Sequence, residues 1–144
     1  MKVIVDTSIW SLALRRKKKQ STSEIRILES LIDNQKVGIL GPIRQEILSG
    51  IKENKQFLQL KEFLSAFDDI PINTKDYELA AEYYNICRSK GVQGSNTDFL
   101  ICAVSHNNRF PIFTSDDDFE TFSKYIPITL VNKNLHGSHE PLRD

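Results

Sequence analysis

Long apolar runs, a disulfide-forming set of cysteines and an excess of charge of one sign are all missing from this sequence. Its 144 residues include two cysteines, too few to staple a small secreted scaffold. The longest apolar stretches, at residues 3–5 and 99–104, fall far short of the roughly 18 residues that a membrane-spanning helix needs. The N-terminus reaches an acid, Asp6, after three apolar residues, which is unlike a signal peptide. We therefore expect a single cytoplasmic domain without membrane association.

The net charge is zero, with 19 Lys and Arg against 19 Asp and Glu. This balance argues against a protein that holds nucleic acid by diffuse basic charge. The charges are unevenly spread, however: residues 1–50 hold nine basic and five acidic residues, whereas residues 51–144 hold ten and fourteen. The neutral total therefore conceals a basic N-terminal part and an acidic remainder.

Short apolar runs rich in β-branched residues alternate with segments of helical period. The runs predict buried strands at residues 2–5, 37–40, 111–114 and 126–131, and a weaker one at residues 70–72. The alternation predicts a three-layer α/β/α fold around a central, mostly parallel sheet of four to five strands. One domain over residues 1–131 is expected, followed by a polar C-terminal tail at residues 132–144.

Two helix starts are signalled by their residues. Pro42 follows Gly41 at a natural first helical position, and residues 95–97 supply capping side chains before the apolar run at residues 99–104. Because this second helix is apolar nearly all round, we expect it to be central and buried.

Four acids stand where a parallel α/β fold gathers its ligand-binding groups, beyond the carboxyl ends of the strands. Asp6 directly follows the first predicted strand, and Asp116 comes two residues after the strand at 111–114. Glu46 lies one turn into the helix after the strand at 37–40, and Asp98 lies in the first turn of the buried helix. All four are expected at the same edge of one sheet.

Each acid also has an ordinary structural explanation, because a carboxylate near a helix N-terminus caps free amides or meets the helix dipole. Glu46, between Ile43 and Ile47, could simply face water. The coincidence of four acids carries the functional interpretation, since clustered carboxylates repel one another unless a cation offsets the repulsion. Oxygen ligands alone select a hard ion, Mg²⁺ or Mn²⁺, which can activate water and stabilise charge on a phosphodiester.

Four segments of the chain resemble, in order and spacing, the motifs of the PIN domain, and more narrowly those of VapC-type toxins. They lie at residues 5–10 (VDTSIW), 42–50 (PIRQEILSG), 96–103 (NTDFLICA) and 114–119 (TSDDDF). The resemblance implies a PIN-like fold and a metal-dependent endoribonuclease that is the toxin of a toxin–antitoxin pair. It further implies RNA as substrate, products with a 3′-hydroxyl and a 5′-phosphate, a homodimer, and inhibition by a small VapB-type antitoxin.

The resemblance also implies roles for individual residues. The acids that match the family's metal-holding quartet, and so its catalytic residues, are Asp6, Glu46, Asp98 and Asp116. The matching supporting positions are Asp118, Thr7, Ser8 and Thr114, of which Ser8 has helix capping as an equal alternative. Asp117 makes the last motif more acidic than usual, which leaves open whether Asp116 or Asp118 reaches the metal; the motif favours Asp116.

Other features are weaker. The basic run Arg15, Arg16, Lys17, Lys18 and Lys19 is a solvated loop by default, and a phosphate-contacting segment if the substrate is RNA. Trp10 could stack on a base but fits the core better. His136 and His139 have a zinc-like spacing without further ligands, and Cys102 is interpreted as a packing residue.

Three alternatives to the nuclease remain at this point. A haloacid-dehalogenase-like phosphatase needs a second acid two residues after the first, where this chain has Ser8. A receiver-type signalling domain needs a phosphorylatable Asp after a middle strand and a late Lys after another strand, whereas Leu40 precedes Gly41 and Thr114 precedes acids. A non-catalytic protein-binding module of the same fold is the third.

Overall fold

The computed structural model describes residues 1–14 and 22–132, which form a small parallel sheet with helices packed around it. The strands are β1 (Val3–Val5), β2 (Val37–Gly38) and β3 (Ile112–Phe113). The helices are α1 (Thr7–Leu14), α2 (Ser23–Asp33), α3 (Gly41–Leu48), α4 (Asn54–Leu64), α5 (Thr74–Ser89), α6 (Asn96–Asn108) and α7 (Asp118–Ser123). The order of elements is that of a three-layer α/β/α fold, as the alternation predicts.

The sheet has the order β2-β1-β3, and both pairings are parallel. Ile4 pairs with Gly38 on one side and with Ile112 on the other, so β1 is the central strand. All three residues of β1 are completely buried, which explains why the strand is a continuous apolar run instead of an alternating one. The carboxyl ends of the three strands consequently lie along one edge.

The sheet is smaller than the predicted four to five strands. In the described residues the two missing strands are each reduced to one parallel bridge, Asp69 with Ile39 and Leu130 with Ile112. Both segments contain a proline, Pro71 and Pro127, which has no N–H group to donate to a ladder. The apolar runs at residues 70–72 and 126–131 therefore flank the sheet without extending it.

Helix α6 is the buried helix that its composition predicts, since residues 99–105 are all buried. It begins at a capping box: the Ser95 hydroxyl accepts from the Asp98 N–H, and the Asp98 carboxylate accepts from the Ser95 N–H. Gly94, just before the cap, passes so close to the rings of Phe99 and Phe122 that a Cβ there would lie 2.6 Å from Phe122 Cζ. Capping and close packing together fix the first turn of α6.

The position of α3 is held by one arginine. Arg44 donates to the carbonyl oxygens of Leu64, the last residue of α4, and of Phe67 just beyond it, at 2.8 and 2.5 Å, and forms an ion pair with Asp69 at 2.8 Å. Since Arg44 and Glu46 belong to the same helix, this contact also helps to hold Glu46 in place. Trp10 is fully buried and packs against the rings of Phe63 and Phe67, as its interpretation as a core residue predicts.

No helix within residues 1–14 and 22–132 is long and apolar enough to span a membrane. The predicted tail at residues 132–144 lies outside the described residues from position 133 onward, so the domain boundary stays a prediction.

Candidate active site

A cleft of about 620 Å³ opens at the carboxyl edge of the sheet, and the four acids of the sequence prediction all line it. Asp6 follows the central strand β1 and Asp116 follows β3, while α3 contributes Glu46 and the first turn of α6 contributes Asp98. Four segments that are distant in the chain thus meet at one place, which is where parallel α/β folds bind their ligands. We refer to this feature as the acidic cleft.

Asp6 is the most deeply placed of the four acids, with 6% of its surface exposed. Its Oδ2 accepts hydrogen bonds from the Ser8 and Thr114 hydroxyls, both at 2.8 Å. Its backbone N–H donates to the carbonyl of Phe113 at 2.9 Å, which continues the β1–β3 pairing. Two neutral donors therefore hold one carboxylate oxygen, and among the described residues no cation neutralises it.

Thr114 connects Asp6 to the loop that carries Asp116. While its hydroxyl donates to Asp6, the same oxygen accepts from the Asp116 N–H at 3.0 Å. Ser8 makes a parallel connection, since its oxygen accepts from the Ser115 N–H at 3.0 Å. The two hydroxyls fix the loop after β3 to the end of β1, and so set where Asp116 lies relative to Asp6.

Glu46 is exposed at the mouth of the acidic cleft, and its Oε1 accepts from the Thr7 hydroxyl at 2.7 Å. Thr7 is the first residue of α1, directly after Asp6, so this bond ties α3 to the end of the central strand. Glu46 is thus exposed to water, as the purely structural explanation of this residue predicts, and it also lines the acidic cleft.

Asp98 has both the structural role and the position that the sequence indicates. One of its oxygens closes the capping box of α6, and the side chain lines the acidic cleft. Burial raises the pKa of the Asp98 carboxyl, and the nearby carboxylates of Asp6 and Asp116 raise it further, against the opposing effect of the Ser95 hydrogen bonds. The proximity of the other two acids thus has an electrostatic consequence at Asp98.

Asp118 lies apart from the acidic cleft. It is exposed at the first position of α7, and its N–H donates to Asp116 Oδ1 at 2.9 Å. This bond orients the Asp116 side chain. The placement accordingly favours Asp116 over Asp118 as the residue that faces a ligand.

The acidic cleft is uniformly acidic or neutral over the part of its lining that the structure describes. Besides the four acids the lining consists of Thr7, Ser8, Pro42, Gln45, Ser49 and Thr97. Within residues 1–14 and 22–132, no three side chains of the types His, Cys, Asp and Glu are arranged to hold a metal ion. The four acids face one cleft, and each carboxylate accepts at least one hydrogen bond from the protein.

Some residues of the acidic cleft were not anticipated. Gln45 precedes Glu46 on α3, and Ser49 is the residue directly after the helix. The signal for Gln45 was the helical spacing from Pro42, which puts the residues three and four positions later on the same face. Thr97 is beside Asp98 in the first turn of α6. The basic run at residues 15–19 and the two histidines at 136 and 139 lie outside the described residues. Cys102 is fully buried in α6, as a packing residue should be.

Comparisons with known proteins agree with this architecture. The chain resembles the crystal structure of VapBC2 from Rickettsia felis bound to a promoter DNA fragment, with 22% identity and a TM-score of 0.71 over 90% of this chain and 97% of that chain. It also resembles FitAcB from Neisseria gonorrhoeae, at 18% identity and a TM-score of 0.74 over 91% and 97% of the two chains. VapBC-5 from Mycobacterium tuberculosis, a member of the VapBC family of toxin–antitoxin systems, is 18% identical, with a TM-score of 0.65 over 90% and 96%.

At these identities the structural likeness establishes the fold, and a family model carries the assignment further. No curated protein matches the chain. The model of the PIN domain matches residues 3–125, a span that includes all four acids of the cleft. This match selects against the phosphatase and receiver alternatives, neither of which has this family's sequence pattern. The chain belongs to the PIN domain family.

Proposed function

We propose that this protein is a Mg²⁺- or Mn²⁺-dependent endoribonuclease and the toxin component of a type II toxin–antitoxin system. The observation that supports this most strongly is the convergence of Asp6, Glu46, Asp98 and Asp116 on one cleft whose described lining contains no basic side chain. A cleft of this charge repels an RNA backbone unless a cation is present. The proposed reaction is hydrolysis of a phosphodiester bond of RNA.

The donor set fits a hard divalent ion. It consists of carboxylate and hydroxyl oxygens, which Mg²⁺ and Mn²⁺ prefer, and lacks the thiolates and imidazoles of zinc sites. Asp6 is almost fully buried at the base of this donor set, and the Ser8 and Thr114 hydroxyls both bond to its Oδ2. The residues that would hold the ion are Asp6, Glu46, Asp98 and Asp116, and a bound ion would supply a polarised water and charge stabilisation on the phosphate.

The contribution of the protein's own groups is mainly orientation. Ser8 and Thr114 both donate to Oδ2 of Asp6 and keep this oxygen in place. The N–H of Asp118 fixes one oxygen of Asp116, and Thr7 fixes one oxygen of Glu46. Hydrogen-bond donors of the protein thus hold one oxygen of each of these three acids, which reduces the number of rotamers to be restrained when a ligand binds.

The toxin assignment is supported by the similar structures, which include a toxin–antitoxin complex from Klebsiella pneumoniae and members of the VapBC family. By this likeness the partner would be a VapB-type antitoxin, the toxin would form a homodimer, and both would work in the cytoplasm. If the substrate is RNA, the basic run at residues 15–19 would contact its phosphates.

The test is incubation of the purified protein with total RNA and Mg²⁺ or Mn²⁺, with and without a chelator. Wild type is expected to cleave RNA only when the ion is free, and Asp6→Ala is expected to be inactive. Asp117→Ala is the matched control, because Asp117 is an exposed neighbour of Asp116 outside the lining of the acidic cleft and should remain active. Cleavage that persists in chelator or in Asp6→Ala would overturn the proposal, and hydrolysis of small phosphomonoesters instead of RNA would favour a phosphatase.

A further inference from the structure

A second cavity, of about 410 Å³, lies between α5 and α6 directly beside the acidic cleft. Helix α5 lines it with Tyr77, Ala80 and Tyr84, which lie on one face because they are spaced by three and four residues. Helix α6 contributes Asn96 and Leu100 from its first turns. We call this cavity the tyrosine groove.

The tyrosine groove adjoins the acidic cleft. Thr97 lines both cavities, so the width of one side chain separates them. Asp98, the next residue, faces the acidic cleft, while Asn96, the preceding residue, faces the groove. A ligand that occupies both cavities would therefore carry an apolar, planar group for the tyrosine groove next to an anionic group. The anionic group would meet the cation that the proposed function places on the four acids.

One wall of the tyrosine groove is held rigidly. The ring of Tyr84 packs edge-to-face on Phe99, with centroids 5.6 Å apart and planes at 76°. The guanidinium of Arg88 lies 5.7 Å from the centre of the Tyr84 ring and donates to its hydroxyl at 3.2 Å. The floor is apolar and buried, formed by Ala80 and Leu100. Tyr77 projects on the open side, with 57% of its surface exposed.

The rim supplies polar groups of a particular kind. Asn85 and Asn96 line the tyrosine groove, and the side-chain amide of an asparagine presents a donor and an acceptor side by side, which suits the edge of a nucleobase. Arg88 adds a cation next to the Tyr84 wall, where a phosphate of a bound strand could lie. Aromatic rings, amides and a cation are the combination with which proteins bind unstacked bases of single-stranded RNA.

We propose that the tyrosine groove is a nucleobase subsite, which binds an unstacked base of a single-stranded RNA whose backbone continues into the acidic cleft. It rests on the proposed function, since it names the form of RNA that the same site would accept. Tyr77 and Tyr84 provide the stacking surface, and Asn85 and Asn96 contact the edge of the base. The subsite makes single-stranded RNA the preferred substrate over duplex RNA, whose bases are already stacked.

The test compares the affinity of wild type, Tyr77→Ala, Tyr77→Phe and Tyr125→Ala for a fluorescein-labelled, single-stranded RNA oligonucleotide of mixed sequence. Binding is measured by fluorescence anisotropy in Ca²⁺, with the RNA checked on a gel to be intact, and the mass of each variant is measured by analytical ultracentrifugation. Tyr77→Ala should bind about 5- to 160-fold more weakly, the range that removal of one stacked ring produces. Tyr77→Phe keeps the ring and should stay near wild type. Tyr125 is also an exposed tyrosine, outside the groove lining, and its replacement should have no effect.

A second readout separates this proposal from the proposed function. Mn²⁺ binding, followed by the electron paramagnetic resonance signal of the free ion, reports on the acidic cleft without any aromatic group, and Tyr77→Ala should bind Mn²⁺ as wild type does. Absence of Mn²⁺ binding and of RNA cleavage in wild type would refute the nuclease, while the comparison of RNA affinities would still decide the subsite. Unchanged RNA affinity of Tyr77→Ala would overturn the subsite. A fall in the mass of this variant would also overturn it, because the groove would then be an interface between two copies of the chain.

Discussion

The hydrogen bonds that hold the acidic cleft together can be tested most sharply at Thr114, by measuring how its replacement changes the unfolding free energy. Its hydroxyl donates to the almost fully buried Asp6 carboxylate and accepts from the Asp116 N–H. Thr114→Val keeps the shape of the side chain and removes both bonds. A bond to a charged group contributes about 1.5–3 kcal/mol and a neutral one about 0.5–1.5 kcal/mol, so we expect the variant to lose about 2–4.5 kcal/mol of unfolding free energy.

The measurement is urea unfolding followed by circular dichroism at neutral pH, with a thermal melt as a second estimate. For a chain of this length each kcal/mol lowers Tm by about 2–4 °C, so the expected loss corresponds to a decrease of about 4–18 °C. Thr114→Ser is the matched control, since it keeps the hydroxyl and loses one methyl group, a change worth about 1 kcal/mol. The reasoning is refuted if Thr114→Val is as stable as Thr114→Ser, because the hydroxyl would then not be what ties Asp6 to the loop after β3.

Three further predictions follow from other parts of the molecule. Because burial, and the nearby acids as well, raise the pKa of Asp98, wild-type stability should fall as pH rises from the ordinary Asp range through the raised pKa. Asp98→Asn should abolish this fall, as measured by urea titrations at several pH values, and should also abolish RNA cleavage in a separate assay. Asp76→Asn changes an acid in the capping box of α5 and should keep cleavage. Gly94→Ala should destabilise the fold by about 1–3 kcal/mol because its Cβ would overlap buried rings, while Gly41→Ala, with no atom within 4 Å, should cost far less in the same unfolding assay. Neutralising residues 15–19 should weaken RNA binding and flatten its dependence on salt, by a slope of about 0.7 for each phosphate that is no longer neutralised; an unchanged slope would make the run a solvated loop.

The elements that sequence reasoning located best are those where several local signals agree. Helix α6 combines capping residues, an apolar circumference and sufficient length, and the structure confirms its burial. The central strand β1 is likewise an uninterrupted apolar run that ends at an acid. The two outer strands were over-predicted because an apolar composition does not reveal the loss of one backbone N–H group. Pro71 and Pro127 each remove one N–H donor from the segment that was expected to pair with the sheet.

The contacts of the acidic cleft were beyond the reach of sequence reasoning for a different reason. That Asp6, Glu46, Asp98 and Asp116 lie at one edge follows from parallel strands having their carboxyl ends together. The hydrogen bond from Thr114 to Asp6 joins residues 108 positions apart, and only the strand register brings them within reach. The tyrosine groove was missed because its residues on α5 mix alanines with tyrosines and so show no clear apolar stripe.

The most direct test of the central claim, that the four acids form one cation site, is Mn²⁺ binding followed by the electron paramagnetic resonance signal of the free ion. Wild type should bind Mn²⁺, and Asp6→Asn and Asp98→Asn should each bind at least about tenfold more weakly, the loss caused by disturbing even an outer-sphere partner of a metal. Asp117→Asn, just outside the acidic cleft, should bind as wild type does. Equal Mn²⁺ affinity in all four proteins would contradict the account, because the acids would then share a cleft without sharing an ion.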